Sequence, residues 1–246
     1  MTAKKFLAIL LAMALCFGLI ACAGTEAKPT TAPTEEPTEE PTEPEEKWVD
    51  VSMAIKFRAE LSAGTNIRLT ADLELENDAS IEMNAVSSKL DLNGHTLTFV
   101  NKNENVHFVT LMNGEASLVI MDSSEAQTGT VKIIIKEDGI SSQVFRVNSV
   151  NTITIEGGTF IYEFAEGITT AGGKKNIVHS NGTTIINGGT FINNVGGITV
   201  NNYEGTMTLN GGKFNVAPTA AADKATMVGN VVGPDAEGFF TVEAAQ

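Results

Sequence analysis

Beyond residue 64 the chain alternates apolar and polar positions in short runs punctuated by glycine, and long helical periodicity is missing. The runs are self-similar. L-D-L-N-G-H-T-L at 90–97, I-T-I-E-G-G-T-F at 153–160, T-I-I-N-G-G-T-F at 184–191 and M-T-L-N-G-G-K-F at 207–214 share one order. An alternating run leads to a polar residue, then glycine, then Gly or His, a polar residue and a large apolar one. Gly94, Gly157, Gly188 and Gly211 are 63, 31 and 23 residues apart, and a weaker match, L-V-I-M-D-S-S at 118–124 with G-T-V-K-I at 129–133, fills the long interval. A period of roughly 23–35 residues with insertions marks a repeat architecture.

One unit is too small to bury its apolar face alone; stacked units can, because like positions then lie about 4.8 Å apart. Alternation sends Leu90, Ile153, Thr184 and Met207 to one face, with Leu92, Ile155, Ile186 and Leu209 two residues on. Glycine permits a sharp bend. Leu97, Phe160, Phe191 and Phe214 then return inward as a predicted column, with Asn93, Glu156, Asn187 and Asn210 lining the outside of the turn.

The strings D-L-N-G-H-T-L and I-N-G-G-T-F resemble coils of right-handed parallel β-helix proteins of the pectin-lyase-like superfamily. More narrowly, they resemble short surface β-helix domains of bacterial lipoproteins and adhesins. The resemblance covers about residues 64–216. It implies an all-β, right-handed, single-stranded parallel β-helix (a solenoid) of about six coils with a small N-terminal cap. On the pattern alone, a sandwich of short strands and another type of solenoid stand beside that reading.

The ends of the repeat are less regular. Val51, Met53, Ile55, Phe57, Ala59 and Leu61 alternate like a strand, whereas Ser52 and Gly64 suit the start and stop of a short helix. The resemblance favours a helical cap. Residues 67–75 read as the first strand, and Trp48 as a cap contact. After Pro218 the repeat is lost, and Val231, Val232, Phe239, Phe240 and Val242 suit a closing coil or hairpin.

The first 47 residues differ. Lys4 and Lys5 precede an apolar run from Phe6 to Ile20, the layout of an export signal and short for a membrane span. The ending Leu19-Ile20-Ala21-Cys22 resembles a bacterial lipobox, with Ile20 where Ala or Ser is more usual. That resemblance implies a signal peptide over 1–21 and a diacylglycerol thioether on Cys22, and hence a membrane anchor. An ordinary signal peptide cut at Ala21-Cys22-Ala23 is the alternative. Residues 22–47 form the expected linker, with five of the seven prolines, a Thr-Glu-Glu-Pro period and charge −6 over 23–47 (8 acids, 2 lysines). So polar a stretch does not repay its ordering entropy. The remaining domain, 48–246, has no cysteine and no proline before Pro218, which suits sheet.

Charge narrows the partners. The whole chain carries −14, and 48–246 carries −10 from 12 basic and 22 acidic residues. That balance argues against nucleic acid, which needs a basic footprint. No Walker loop, H-E-x-x-H or G-x-S-x-G string occurs. Of the features that the resemblance brings, the chain has G-H-T at 94–96 but no adjacent Asp pair and no R-x-K. Asp91 and Asp122, on successive units, are candidates for an acidic or weak cation-binding face, with Arg146 near them in sequence. Two carboxylates fall short of the six to eight oxygens usual for a hard cation. Tyr162, Phe164 and Tyr203 are candidate ligand contacts, and 101–109, 123–129 and 162–182 are expected to project. His95 fills the slot held by Gly158, Gly189 and Gly212; His107 and His179 fall in expected loops. No catalytic residue, metal or cofactor is assigned. The expected function is a non-catalytic, lipid-anchored surface domain for glycan, host or protein contact. The alternatives are a polysaccharide lyase or glycoside hydrolase, and a structural display element. Oligomeric state is not assigned.

Overall fold

The computed structural model describes residues 46–76 and 79–243; the expected signal peptide, Cys22 and nearly all of the linker lie outside them. The chain opens with β1 (Val49–Val51) and α1 (Ala54–Ala63). Strands then come in threes: β2 (Ile67–Leu69), β3 (Leu73–Glu76), β4 (Ile81–Asn84); β5 (Ser87–Asp91), β6 (Thr96–Asn101), β7 (Val109–Met112); β8 (Ser117–Met121), β9 (Thr130–Ile135), β10 (Phe145–Val147). They continue with β11 (Thr152–Ile155), β12 (Thr159–Phe164), β13 (Val178–Ser180); β14 (Thr183–Ile186), β15 (Thr190–Asn193), β16 (Val200–Asn202); β17 (Gly205–Leu209), β18 (Lys213–Phe214), β19 (Thr219–Ala220). β20 (Ala225–Val228), β21 (Asn230–Val232) and β22 (Phe240–Glu243) follow.

Every third strand shares a sheet. The first sheet orders β1-β2-β5-β8-β11-β14-β17-β20. The second orders β3-β6-β9-β12-β15-β18-β22-β21, and the third, six-stranded, β4-β7-β10-β13-β16-β19. All pairs are parallel except β18 with β22 and β21 with β22, which form a closing hairpin. The chain is therefore all-β apart from α1, with three largely parallel stacked sheets, an arrangement compatible with a β-solenoid.

The core follows from strict alternation. Leu73, Leu97, Val131, Phe160, Phe191 and Phe214 occupy one register line of the second sheet, as the repeat predicts for the members it names. Phe160 stacks on Phe191 at 4.9 Å and Phe191 on Phe214 at 4.9 Å, with nearly parallel rings. Phe145, Phe108 and Phe57 continue the aromatic chain toward the amino-terminal end at 6.0, 5.7 and 6.2 Å. Each of these rings is fully buried, which stabilises the fold by about 2–3 kcal/mol apiece.

The first sheet corrects the predicted alignment. Leu90 pairs in line with Ile120, Ile155, Ile186 and Leu209, and Ile67 precedes it. Ile153, Thr184 and Met207 instead share a line with Leu118 and Ser88. The earlier corner is longer. Six residues separate Leu90 from Leu97 and ten separate Ile120 from Val131, against four between Ile155 and Phe160. Counting back from the second sheet, His95 does share its place with Gly158, Gly189 and Gly212.

The cap is helical, and Gly64 ends it at φ +80°, donating to Glu60 and Leu61 carbonyls. Phe57 and Leu61, one helical turn apart, are its buried face, while Ile55 stays exposed. Met53, not Ser52, precedes the first helical residue and adds no side-chain cap. Residues 67–75 are two strands on different sheets, not one. Trp48 packs under the Arg68 guanidinium at 5.2 Å, a contact at the capped end.

Candidate functional site

The corners between the first and second sheets are built in two ways. In the three later units the corner has two consecutive glycines, and Gly158, Gly189 and Gly212 take φ of +95° to +108°. Outside them runs a hydrogen-bonded column. Asn210 Nδ2 donates to Asn187 Oδ1 at 2.7 Å, and Asn187 Nδ2 reaches both Glu156 oxygens at 2.9 and 3.0 Å. Asn93, expected in this column, lies apart: its Nδ2 donates to the Leu69 carbonyl at 2.9 Å, within the longer corner.

The longer corners are pinned by buried carboxylates. Asp91, 1% exposed, accepts from the Asn93 N–H (2.9 Å), the Ser123 N–H (3.0 Å), the Ser123 hydroxyl (2.7 Å) and Arg68 Nε (3.1 Å). Asp122, 6% exposed, accepts from the N–H groups of Gly94 (2.8 Å), Ser124 (3.2 Å) and Gly129 (2.6 Å). Burial alone would raise the Asp122 pKa. The adjacent Ser124 hydroxyl, though short of full hydrogen-bond geometry, and the three N–H donors outweigh it and hold the carboxyl below its ordinary value. Both carboxylates are thus turned inward onto the backbone rather than offered as an outer acidic face. Among the described residues no group of three or more His, Cys, Asp or Glu side chains is placed to hold a metal ion. Arg146 does not join them, because it lies on β10 in the six-stranded sheet.

Where the two corner types meet, a groove of about 470 Å³ opens. Its floor is glycine, so no side chain fills it. Gln127, held by bonds from its Nε2 to the Asp122 and Ser124 carbonyls, bounds one end; Thr241 on β22 bounds the other. Thr159, Thr190 and Lys213 line it from one outward register line of the second sheet, and Glu156 reaches it from the amide column. Glu156 is the one carboxylate among the described residues that line it. Sequence reading placed Glu156 at the turn but missed Thr159, Thr190 and Lys213. The available signal was position: each immediately precedes a phenylalanine of the column.

The aromatic candidates separate. Tyr162 is fully buried and its hydroxyl donates to the Ser142 carbonyl at 3.0 Å, so it is a core residue with no face for a ligand. Burial raises its phenol pKa. Phe164 ends β12 and packs half-buried against the core. Tyr203, just past β16, is 45% exposed, but its ring stacks near His179 at 6.4 Å and carries the Lys224 ammonium at 4.8 Å. The three therefore do not form one platform. No family model, curated protein or solved structure matches the chain. Among the described residues no helix is long and apolar enough to cross a membrane.

Proposed function

We propose that the chain is an exported, lipid-anchored bacterial surface domain. In this reading it is a right-handed parallel β-helix of about six coils, akin to pectin-lyase-like folds, that binds a neutral glycan without cleaving it. The glycine-floored groove carries the reading. Its named lining supplies hydroxyls from Thr159, Thr190 and Thr241, an amide from Gln127, one ammonium from Lys213 and one carboxylate from Glu156. Such a surface exchanges hydrogen bonds with sugar hydroxyls, and Thr159 and Thr190 repeat a hydroxyl on neighbouring strands at about 4.8 Å. Glycoside hydrolysis uses a pair of carboxyl groups, and the groove lining has one. The anchor rests on Lys4, Lys5, the apolar run and Cys22, with the acidic proline-rich segment as a spacer.

The test is affinity of the full chain for a panel of neutral oligosaccharides built from glucose, galactose or N-acetylhexosamine. One or more should bind, and Thr190→Tyr, which fills the groove from an outward strand position, should weaken binding at least tenfold with an unchanged melting temperature. Equal binding by Thr190→Tyr, binding to none, or release of reducing sugar would each overturn the reading. Separately, Cys22→Ala should release the protein from the membrane fraction; retention there would overturn the anchor.

A further inference from the structure

The six-stranded sheet has an outward register line quite unlike the groove. It runs Glu82, Thr110, Arg146, His179, Asn201 and Thr219 on successive strands. The described residues include three arginines. Arg68 pairs with Asp91, and Arg58 donates to the Glu76 and Ala79 carbonyls. Arg146 alone has no hydrogen bond or ion pair among the described residues. Its strand neighbours are a threonine and a histidine, not a carboxylate. Glu82 lies two strands away, beyond Thr110. Glu104 faces the Ser141 N–H at 2.8 Å, and Glu204 sits by Lys224 at 3.9 Å. In a chain of net charge −14, a guanidinium left without a counterion is an exception that asks for a cause.

A second, independent observation lies in the same region. Five buried side-chain polar atoms among the described residues have no partner, and four of them are His107 Nε2, Gln143 Oε1, His179 Nδ1 and Asn181 Oδ1. His107 and Gln143 are 3% and 4% exposed. His107 Nδ1 accepts the Gln143 N–H at 3.0 Å, so the neutral ring carries its proton on the unpartnered Nε2. Native interiors rarely leave such groups unsatisfied; the His107 Nε2–H is a donor that an oxyanion can meet, whereas Gln143 Oε1 and Asn181 Oδ1 are acceptors that the hydroxyl donors of a ligand can meet. The local field is positive. Burial, then the charges of Arg146, Lys174 and His179, push His107 down to about 4, and burial followed by Arg146 and Lys174 lowers His179 as well. Lys174 donates to Asn105 Oδ1 at 3.0 Å, a neutral partner that leaves its charge uncompensated.

We propose that the outer face of the six-stranded sheet holds an oxyanion-binding site, centred on Arg146 and His179 and flanked by Lys174, for the sulfate, phosphate or carboxylate groups of an acidic saccharide. The guanidinium fork matches a planar or tetrahedral oxyanion through paired N–H donors. His179 stands one strand away, near 5 Å between side-chain bases. Asn181, Asn201 and Tyr203 extend the polar strip along which the rest of a saccharide chain can lie. The site is on a different sheet from the groove, so either can fail without the other.

The experiment measures binding of the full chain to dextran sulfate, to oligogalacturonate and to unsubstituted dextran at two salt concentrations. At least one acidic polymer should bind, more weakly as salt rises, and unsubstituted dextran should not compete. Which acidic polymer wins separates sulfate from carboxylate, and competition by inorganic phosphate tests the third oxyanion. Arg146→Gln should lose at least tenfold in affinity, Arg146→Lys should fall between, His179→Gln should lose severalfold, and the groove variant Thr190→Tyr should bind as the parent does. Undiminished binding by Arg146→Gln, or equal affinity for charged and neutral dextran in the Thr190→Tyr variant, whose groove is filled, would overturn the site. If Arg146→Gln does not fold, Arg146→Lys decides: parental affinity there would overturn it.

Discussion

The corner at β8–β9 and the corner at β11–β12 turn the chain from the same sheet to the same sheet, yet they share almost no chemistry. At β8–β9 ten residues separate the two core lines, and the extra backbone folds over a buried Asp122 that gathers three N–H donors. At β11–β12 four residues suffice, because Gly158 takes a positive φ and the amide column closes the outside. Glycine serves both, for different reasons. A Cβ on Gly129 would come within 2.6 Å of Asp122 Cγ and of Leu92 Cβ, so there the requirement is space; at Gly189, φ +95°, the requirement is conformation. A long corner needs an internal acceptor for the N–H groups that it buries. A short one buries few and needs only a residue able to bend. The groove exists because one type stands beside the other: the long corner supplies a wall and the short ones a bare floor.

The largest effect should come from removing the internal acceptor. Asp122→Ala strands the N–H groups of Gly94, Ser124 and Gly129 in a buried place and should cost about 3–5 kcal/mol. Asp122→Asn keeps one oxygen and should cost less. Because the Asp122 pKa is lower in the folded chain than its ordinary 3.8, its contribution is present above that value and is lost as pH falls through the folded pKa. Protection of the Gly94 and Gly129 amides against hydrogen exchange, relative to the intrinsic rate at each pH, should therefore fall below about pH 4, ahead of that of the Asn187 and Asn210 amides of the amide column. Denaturant unfolding and amide exchange check both statements. A cost below 1 kcal/mol for Asp122→Ala would remove the distinction between the corners.

The sequence displayed one corner better than the other. I-T-I-E-G-G-T-F, T-I-I-N-G-G-T-F and M-T-L-N-G-G-K-F differ little, because a four-residue corner between two core lines leaves few choices. The phenylalanine column and the slot shared by His95 and Gly158 were legible for that reason. L-D-L-N-G-H-T-L has the same length and much the same letters, and this hid a corner two residues longer. Leu92 lies within that corner, whereas Ile155, matched to it by letters, sits on the core line of Leu90. Asp91 and Asp122 read as outward because alternation puts polar residues outside, and only the folded corner shows N–H groups converging on them. Tyr162 was misread in the opposite sense. Its ring, with those of Phe164 and Tyr203, suggested a sugar-stacking surface, but the strand alternation of Phe160 and Tyr162 already put both inside. The groove was not legible, since its walls come from residues more than 100 positions apart, Gln127 and Thr241.

A smaller effect should follow from testing the bend itself. Gly189→Ala places a Cβ at φ +95° and 3.0 Å from the Gly158 carbonyl oxygen, with about 2 kcal/mol expected from the conformation. The fold should survive, since the stack of Phe160 and Phe191 begins two residues further on and stays buried. The methyl group also raises the groove floor, so neutral-glycan affinity should fall together with the melting temperature. Gly129→Ala tests the other requirement. If it proves as mild as Gly189→Ala, close approach to Asp122 is not what selects glycine there.

The smallest effect is expected at Asn187, the middle of the column. Asn187→Ala breaks the bonds to Glu156 and from Asn210, three contacts between 2.7 and 3.0 Å, which on paper rival those around Asp122. The difference is water. All three column side chains are exposed, so each freed donor or acceptor regains a solvent partner, and the net loss should be about 0.5–1 kcal/mol. Binding should respond more than stability, because Glu156 loses the amide that fixes its carboxylate beside the groove. A loss above 2 kcal/mol would mean that the column acts as a buried network, and the short corner would then depend on side-chain acceptors just as the long one does.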